Sequence, residues 1–478
     1  NTISFNIISS SKKNMQVDLQ PGLDIDSVMN TGNKLKFYRE GSAYYIQWPH
    51  RQNEKKGVVT IYYHGLPRVA KRPPWDGGVT WTTDKQGNPW ITVTCQGLGA
   101  SVWYPCKDYQ GDEPDSASIS ITVPDTLVAV SNGRLRNQQP ASPGYSTYTW
   151  AVVNPINNYN IIPYIGKYSH WQETFAGEKG NLDCDYWALT EYLAQAKEQF
   201  TQVKTMLTCF EHWFGPYPFY QDGYKLVQAP HLGMEHQSAV AYGNGFRNGY
   251  RGTDLSESGW GLRWDFIIVH ESGHEWFGNN ITSNDIADMW IHESFANYSE
   301  TLFTECQFGK EAGADYVTGT RRKIENEKPI VGQFGVNDEG STDMYYKGGN
   351  MLHTIRQVIN DDEKFRKILR SLNAHFYHKT VDGKELEKYM SEQAGIDLSK
   401  IFQQYLETTQ IPLLEYKPAK GGYEYRWTNV VKGFTMPLKV LTDKEEWIHP
   451  TETWQTLRTS SEQLTVDRNF YVRAKEMN

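Results

Sequence analysis

Cysteine is scarce: five in 478 residues, at positions 95, 106, 184, 209 and 306. No two form a C-x-x-C unit and their spacing is sparse, so neither a structural zinc module nor a disulfide scaffold is indicated. The odd count leaves at least one thiol unpaired in a monomer. Long apolar runs are also missing. No eighteen consecutive residues are apolar and the first thirty hold no signal-type hydrophobic segment, so no membrane span is expected. Excess positive charge is absent as well, with 48 Lys and Arg against 56 Asp and Glu and a formal net charge of −8. That balance disfavours nucleic acid and favours ligands carrying an amine. Internal repeats and low-complexity linkers are lacking. The chain opens on Asn1 without an initiator Met, read as upstream processing or an omitted segment. The compartment stays open, with periplasmic or secreted favoured over cytoplasmic, and oligomerisation is left undecided.

What is abundant is aromatic: 14% of the residues, including 30 Tyr and 16 Trp. The length allows two to four domains with ample core. Residues 1–167 carry short segments of alternating or β-branched character, such as TISFNII, GVVTIYYHG and SASISITVP, separated by turn residues. Near 167 the period changes from 2 to 3.6, and 186–214 places Leu189, Leu193, Ala196, Phe200, Val203, Met206 and Phe210 at helical spacing. Further helices are expected over 301–327, 349–373, 384–394 and 398–409. From 413 to 478 strand character returns. The expected architecture is multidomain: an N-terminal β-rich domain (1–167), a central α+β, mostly helical domain (168–412) and a small C-terminal β-sandwich (413–478).

The most informative stretch is 268–300, IVHESGHEWFGNNITSNDIADMWIHESFANYSE. On a helix His270 and His274 leave one face a turn apart and can share a metal ion. Glu271, about 100° further round, can face a water at that ion without being a ligand. This H-E-x-x-H spacing is a zinc-metalloprotease signature. Zinc needs a third protein ligand and an open position, and Glu293 is the candidate, on a second helix that begins before Trp290 after the GNN and SND turns.

These residues resemble family M1 of the zinc aminopeptidases, gluzincins that include aminopeptidase N and leukotriene A4 hydrolase. The family follows H-E-x-x-H with eighteen residues and then Glu, and carries W-F-G-N, here Trp276-Phe277-Gly278-Asn279. The resemblance implies a thermolysin-like catalytic domain, one zinc ion per chain on His270, His274 and Glu293, and Glu271 as general base. His292 and Ser294 stand where the family has Asn and Gly, which leaves His292 as a second reading for a ligand, although on a helix it points away from Glu293's direction.

Four more segments extend the likeness. Leu232-Gly233-Met234-Glu235-His236 is similar to the family's G-x-M-E-N turn, implying that Glu235 binds a substrate α-amine while Gly233 and Met234 form an edge strand against the peptide. A protonated His236 is an alternative neutraliser of Glu235. Asp343-Met344-Tyr345-Tyr346-Lys347-Gly348 resembles Y-x-K-G, whose Tyr serves the oxyanion; the register selects Tyr345, with Tyr346 the neighbour most easily confused with it. Gln96, nine residues before Pro105-Cys106-Lys107-Asp108, looks like a substrate contact of the leukotriene branch. A helical C-terminal domain common in the family has no counterpart of that size here.

The implied activity is hydrolysis of the first peptide bond of peptides with a free N-terminus. The alternatives are a thermolysin-type endopeptidase and an inactive peptide-binding scaffold. An epoxide hydrolase side activity is implied by the leukotriene branch alone, and no residue carries it. The preferred N-terminal residue is not readable.

Overall fold

The computed structural model describes residues 1–8, 14–49 and 55–477, which form two compact units. The first comprises Asn1–Gln172, Asp185–Leu193 and Gln221–Gly243. Its strands follow the period-2 rule: in Ala117–Pro124 the side chains of Ile119, Ile121 and Val123 turn inward and the Ser and Thr between them outward. That strand pairs antiparallel with Tyr145–Val152, setting Ile119 opposite Trp150 and Ile121 opposite Tyr148. On the outer face Ser120 bonds to Thr149 and Thr122 to Thr147, each over 2.8 Å.

Two cores result. Val17, Leu23, Val28, Ile46, Val59 and Ile61 fill one, between the sheets of the first sixty-five residues. Val93, Ala129, Trp150, Ile162 and Tyr164 anchor the other, joined by Val227, Met234 and Ala241. These last three belong to a five-stranded sheet in which the strand Val240–Tyr242 runs parallel to Tyr224–Gln228 and antiparallel to Gly233–Met234. Gly233–Met234 is an edge strand.

The second unit comprises Glu173–Cys184, Ala194–Tyr220 and Asn244–Asn478. Helices described in the chain are α1 (Leu193–Gln199), α2 (Gln202–Phe214), α3 (Phe266–Gly273), α4 (Trp290–Phe308), α5 (Lys310–Gly319), α6 (Tyr346–Ile359), α7 (Asp362–His375), α8 (Gly383–Ala394) and α9 (Ser399–Leu406). The last segment, from Leu413, folds as a four-stranded and a three-stranded sheet around Leu414, Trp427, Leu438 and Val440. A helical centre flanked by β-rich regions is therefore the architecture. No helix of the described residues is long and apolar enough to cross a membrane.

The helix expected over 186–214 differs. Gly180–Leu189 is a strand, because the run Tyr186–Leu189 is buried at every position and fits a doubly covered strand as well as a helix. The remainder breaks between α1 and α2, where the Thr201 hydroxyl donates to the Glu198 carbonyl over 2.6 Å and competes with the helical ladder. The single helix expected over 349–373 is two. Asn360 closes α6 in the left-handed conformation with φ 52°, and Asp361 caps α7 by accepting the Lys364 N–H over 3.0 Å.

Candidate metal centre

α3 starts at Asp265, whose carboxylate accepts the N–H groups of Ile267 and Ile268 at 3.1 and 3.4 Å and satisfies the first turn. All of Phe266–Gly273 is buried, and His274 continues the chain in right-handed helical geometry, so the i, i+4 relation to His270 survives. Small residues let α4 come close. A Cβ on Gly273 would lie 2.6 Å from Ser299 Oγ and 3.6 Å from Ala296 Cα. This approach brings Glu293, in the first turn of α4, to the histidines: its Oε2 lies 3.5 Å from His270 Nε2 and 3.4 Å from His274 Nε2.

The outer nitrogens determine what faces inward. His270 Nδ1 lies 2.7 Å from Glu300 Oε1 and His274 Nδ1 lies 3.0 Å from the Phe277 carbonyl oxygen. Both partners only accept, so each Nδ1 carries the proton and each Nε2 offers a lone pair. Glu293 Oε2 is buried with no hydrogen-bond partner among the described residues. Two imidazole lone pairs and an unbonded carboxylate oxygen inside a protein call for a cation, and the set fits zinc with one open coordination position. His270, His274 and Glu293 form a zinc-binding cluster of the H-E-x-x-H type, suited to one ion.

The electrostatics agree. Burial pushes the Glu293 carboxyl up, but the imidazoles of His274 and His270 beside it hold it well below the usual carboxylate range. For His270 burial opposes protonation, and the carboxylates of Glu293 and Glu300 outweigh it, so positive charge is favoured at its Nε2, as a proton or as a bound cation. Glu300 is fully buried and also accepts from Tyr316 Oη over 2.7 Å and Asn297 Nδ2 over 3.2 Å. Glu271 sits between the ligands on α3, 8% exposed.

His292 is not in the cluster. Its Nε2 accepts the Ser283 backbone N–H over 2.9 Å, and burial, with His274 nearby, lowers its pKa to about 3, so it is a neutral group fixing the turn before α4. Ser294 donates to the Met344 carbonyl over 2.7 Å. Gly348 and Gly349 leave the space that Ser294 and Asn297 fill, so the start of α6 lies directly on α4. Tyr345 is thereby fixed with its ring 6.1 Å from that of His270. Tyr346 has its ring 6.4 Å from Tyr345, and burial followed by the charge of Glu300 raises its phenol.

In the first unit, Glu235 follows the edge strand Gly233–Met234 and is 3% exposed. Tyr159 Oη donates to its Oε1 over 2.9 Å. Tyr164 Oη donates to the Ala239 carbonyl over 2.8 Å and so accepts from His236 Nδ1, 2.6 Å away. Burial, then the neighbouring His231, keeps His236 far below an ordinary histidine, so it is a neutral ring and not a counter-charge for Glu235. Gln96 is half-buried after the strand Pro89–Thr94, with Nε2 lacking a hydrogen-bond partner among the described residues. The preceding Cys95 thiol donates to the carbonyl oxygen of Tyr159 over 3.5 Å.

Sequence reasoning missed Glu300, Tyr159 and Tyr250. Glu300 had a signal: it lies seven residues past Glu293, two turns along the same helix face. Tyr250 sets its ring edge against Phe266, 5.4 Å away, and Phe266 stacks on His270 at 5.1 Å. Nothing local marks either tyrosine among thirty.

Residues 199–405 match the Peptidase family M1 domain. Aminopeptidase N of Lactobacillus helveticus is 26% identical over 226 residues, 43% of this chain and 26% of that protein. Tricorn protease-interacting factor F2 of Thermoplasma acidophilum is 22% identical over 422 residues, 85% of this chain and 50% of that protein. Aminopeptidase B of Rattus norvegicus is 22% identical over 417 residues, 83% and 58% respectively. The chain spans 58% or less of the length of these curated relatives. Among solved structures, an M1 zinc metallopeptidase from Deinococcus radiodurans matches with a TM-score of 0.72 at 20% identity, over 86% of this chain and 90% of that one. With His270, His274 and Glu293 gathered as described, the chain has the fold and the catalytic motif of the family M1 zinc aminopeptidases.

Proposed function

We propose that this protein is a zinc-dependent aminopeptidase that removes the first residue of peptides with a free N-terminus. The observation that carries the reading is the convergence of Glu293 Oε2 on the two Nε2 atoms, with Glu271 on the same helix. Zinc held by His270, His274 and Glu293 would supply Lewis-acid charge at the scissile carbonyl. Glu271 takes the proton of the attacking water and passes it to the leaving amine. Tyr345 donates to the oxyanion as charge develops there. Glu235 accepts the substrate α-ammonium, Gly233 and Met234 offer edge-strand backbone to the peptide, and Gln96 is a further substrate contact.

The register of cleavage is then counted from the amine. Among relatives of the fold, the Deinococcus radiodurans metallopeptidase has been solved with a Tyr-Ser-Ala substrate, and a two-domain M1 zinc metallopeptidase with L-tryptophan and with L-arginine. Single amino acids are the products of N-terminal cleavage, which supports an exopeptidase. A disulfide between Cys209 and Cys306 supports an oxidising compartment, periplasmic or extracellular.

The test is kcat/KM for one peptide in free and N-acetylated forms, with wild-type and Glu235→Ala enzymes. Acetylation should abolish cleavage by the wild type, and Glu235→Ala should lose at least about tenfold on the free peptide while discriminating less, as expected of a charge-assisted contact. Equal wild-type values for the two forms would replace the aminopeptidase by an endopeptidase.

A further inference from the structure

Cys209 on α2 and Cys306 on α4 are joined, 97 residues apart in sequence. The other three cysteines, Cys95, Cys106 and Cys184, are reduced and buried. Burial and the charge of Asp108 push the thiols of Cys95 and Cys106 up, so they are poor nucleophiles. The two halves of the disulfide differ: Cys209 is 3% exposed, while Cys306 is exposed near the end of α4. Both face an open groove of about 570 Å³, also lined by Lys204, Thr208 and His212 of α2 and by Gln307. Lys204 is 44% exposed and brings positive charge to this groove, paired with Glu173 at 3.1 Å.

We propose that the Cys209–Cys306 disulfide is a thiol-exchange site, opened by a small carboxylate-bearing thiol that enters the groove beside Lys204 and attacks Cys306 Sγ. The incoming thiolate sulfur bonds to Cys306 Sγ as the protein S–S bond breaks. The electron pair leaves on Cys209 Sγ, which takes a proton from water. A second thiolate then attacks the incoming sulfur of the mixed disulfide and leaves the pair on Cys306 Sγ. In sum two small thiols are oxidised to one disulfide and the protein disulfide is reduced to two thiols.

Attack at Cys306 follows from its exposure. The released Cys209 thiol meets an acceptor already in place, because its Sγ lies 3.5 Å from the Leu302 carbonyl oxygen. The buried product is therefore hydrogen-bonded, and Cys209 stays positioned for reclosure. What opens is the tie between α2 and the far end of the helix that carries Glu293 and Glu300. Cys306 lies thirteen residues beyond Glu293, about 20 Å along the helix axis. Exchange should thus lower stability and leave the metal cluster intact.

Native protein incubated with millimolar reduced glutathione, acid-quenched and mapped by peptide mass spectrometry, tests this. The mixed disulfide should appear on Cys306, with Cys209 a free thiol and Cys95, Cys106 and Cys184 unmodified. The melting temperature should fall by about 5–10 °C with zinc content unchanged. Cys209→Ser, which cannot reclose, should accumulate the adduct on Cys306 with oxidised glutathione, and Cys306→Ser should form none. Adducts on Cys209, or no reaction of the wild type except at denaturant concentrations that unfold it, would overturn the proposal. None of these readouts depends on peptidase activity.

Discussion

Glu300 Oε1 accepts the Nδ1 proton of His270 over 2.7 Å, joining α4 to the metal-bearing face of α3. With Tyr316 and Asn297 as its other donors, the buried carboxylate is fully satisfied and fixes both the tautomer and the ring orientation of a zinc ligand. Glu300→Gln should weaken zinc binding by about 10–100-fold, the range found for such outer partners of metal-ligating histidines. A chelator-competition titration measures it. Unchanged affinity would make Glu300 a packing residue.

The roles of Glu271 and Tyr345 separate by metal content. Glu271→Gln should keep its zinc and lose turnover, because the amide cannot take the proton of water. Tyr345→Phe should keep KM and lose about 10²–10³-fold in kcat, as expected for one oxyanion donor. Tyr346→Phe is the control and should be near wild type. If Tyr346→Phe is the damaging change and Tyr345→Phe is silent, the oxyanion role moves one residue on.

A part-buried ion network around Arg356 ties α4 to α6 and α7. The Arg356 side chain is 1% exposed and forks onto Glu305 at 2.7 and 2.9 Å, while its Nε reaches Asp362 Oδ1 at 2.8 Å. Its guanidinium also lies 5.0 Å over the Trp213 ring. Arg356→Met should cost about 3–5 kcal/mol, chiefly by leaving Glu305 without its partner. Glu305→Gln in the same chain should recover part of the loss. Urea unfolding of the four members of this cycle checks it, and additive effects would sink the network.

Legibility in the sequence followed locality. The H-E-x-x-H pair, the turns after it and Glu293 lie within twenty-four residues, so period and spacing sufficed to expect two helices with three ligands facing each other. The 186–214 stretch misled because an apolar run such as Tyr186–Leu189 satisfies helix and buried strand alike, and because Thr201 breaks the helix through its own side chain. Bonds such as Tyr159 to Glu235 and Cys209 to Cys306 join residues 76 and 97 apart, and no local pattern encodes them. His236 was open to being read as a cation. Only the fold reveals that its Nδ1 bonds to Tyr164 and that burial keeps it neutral.

Acid lability follows from histidines folded in the neutral state. Burial lowers the pKa of His231 to about 3, and burial lowers that of His353 to about 3 as well, one in each unit. His353 is buried with Nδ1 3.1 Å from Tyr298 Oη and Nε2 3.0 Å from Asn469 Oδ1. A folded pKa below the unfolded value near 6.5 means that the unfolded chain binds a proton the folded chain refuses. Stability from each group is therefore complete above pH 6.5 and lost as pH falls from there toward 3. The slope is about 1.4 kcal/mol per pH unit per histidine, so each costs about 2 kcal/mol by pH 5. His353→Gln removes one titrating group and keeps a polar side chain for Tyr298 and Asn469. It should be less stable than wild type at pH 7.5, with the difference shrinking by about 2 kcal/mol at pH 5. Denaturant midpoints of the second unit across this range provide the measurement. Parallel curves for wild type and variant would mean that His353 is protonated in the folded protein, and the acid lability would have to come from elsewhere.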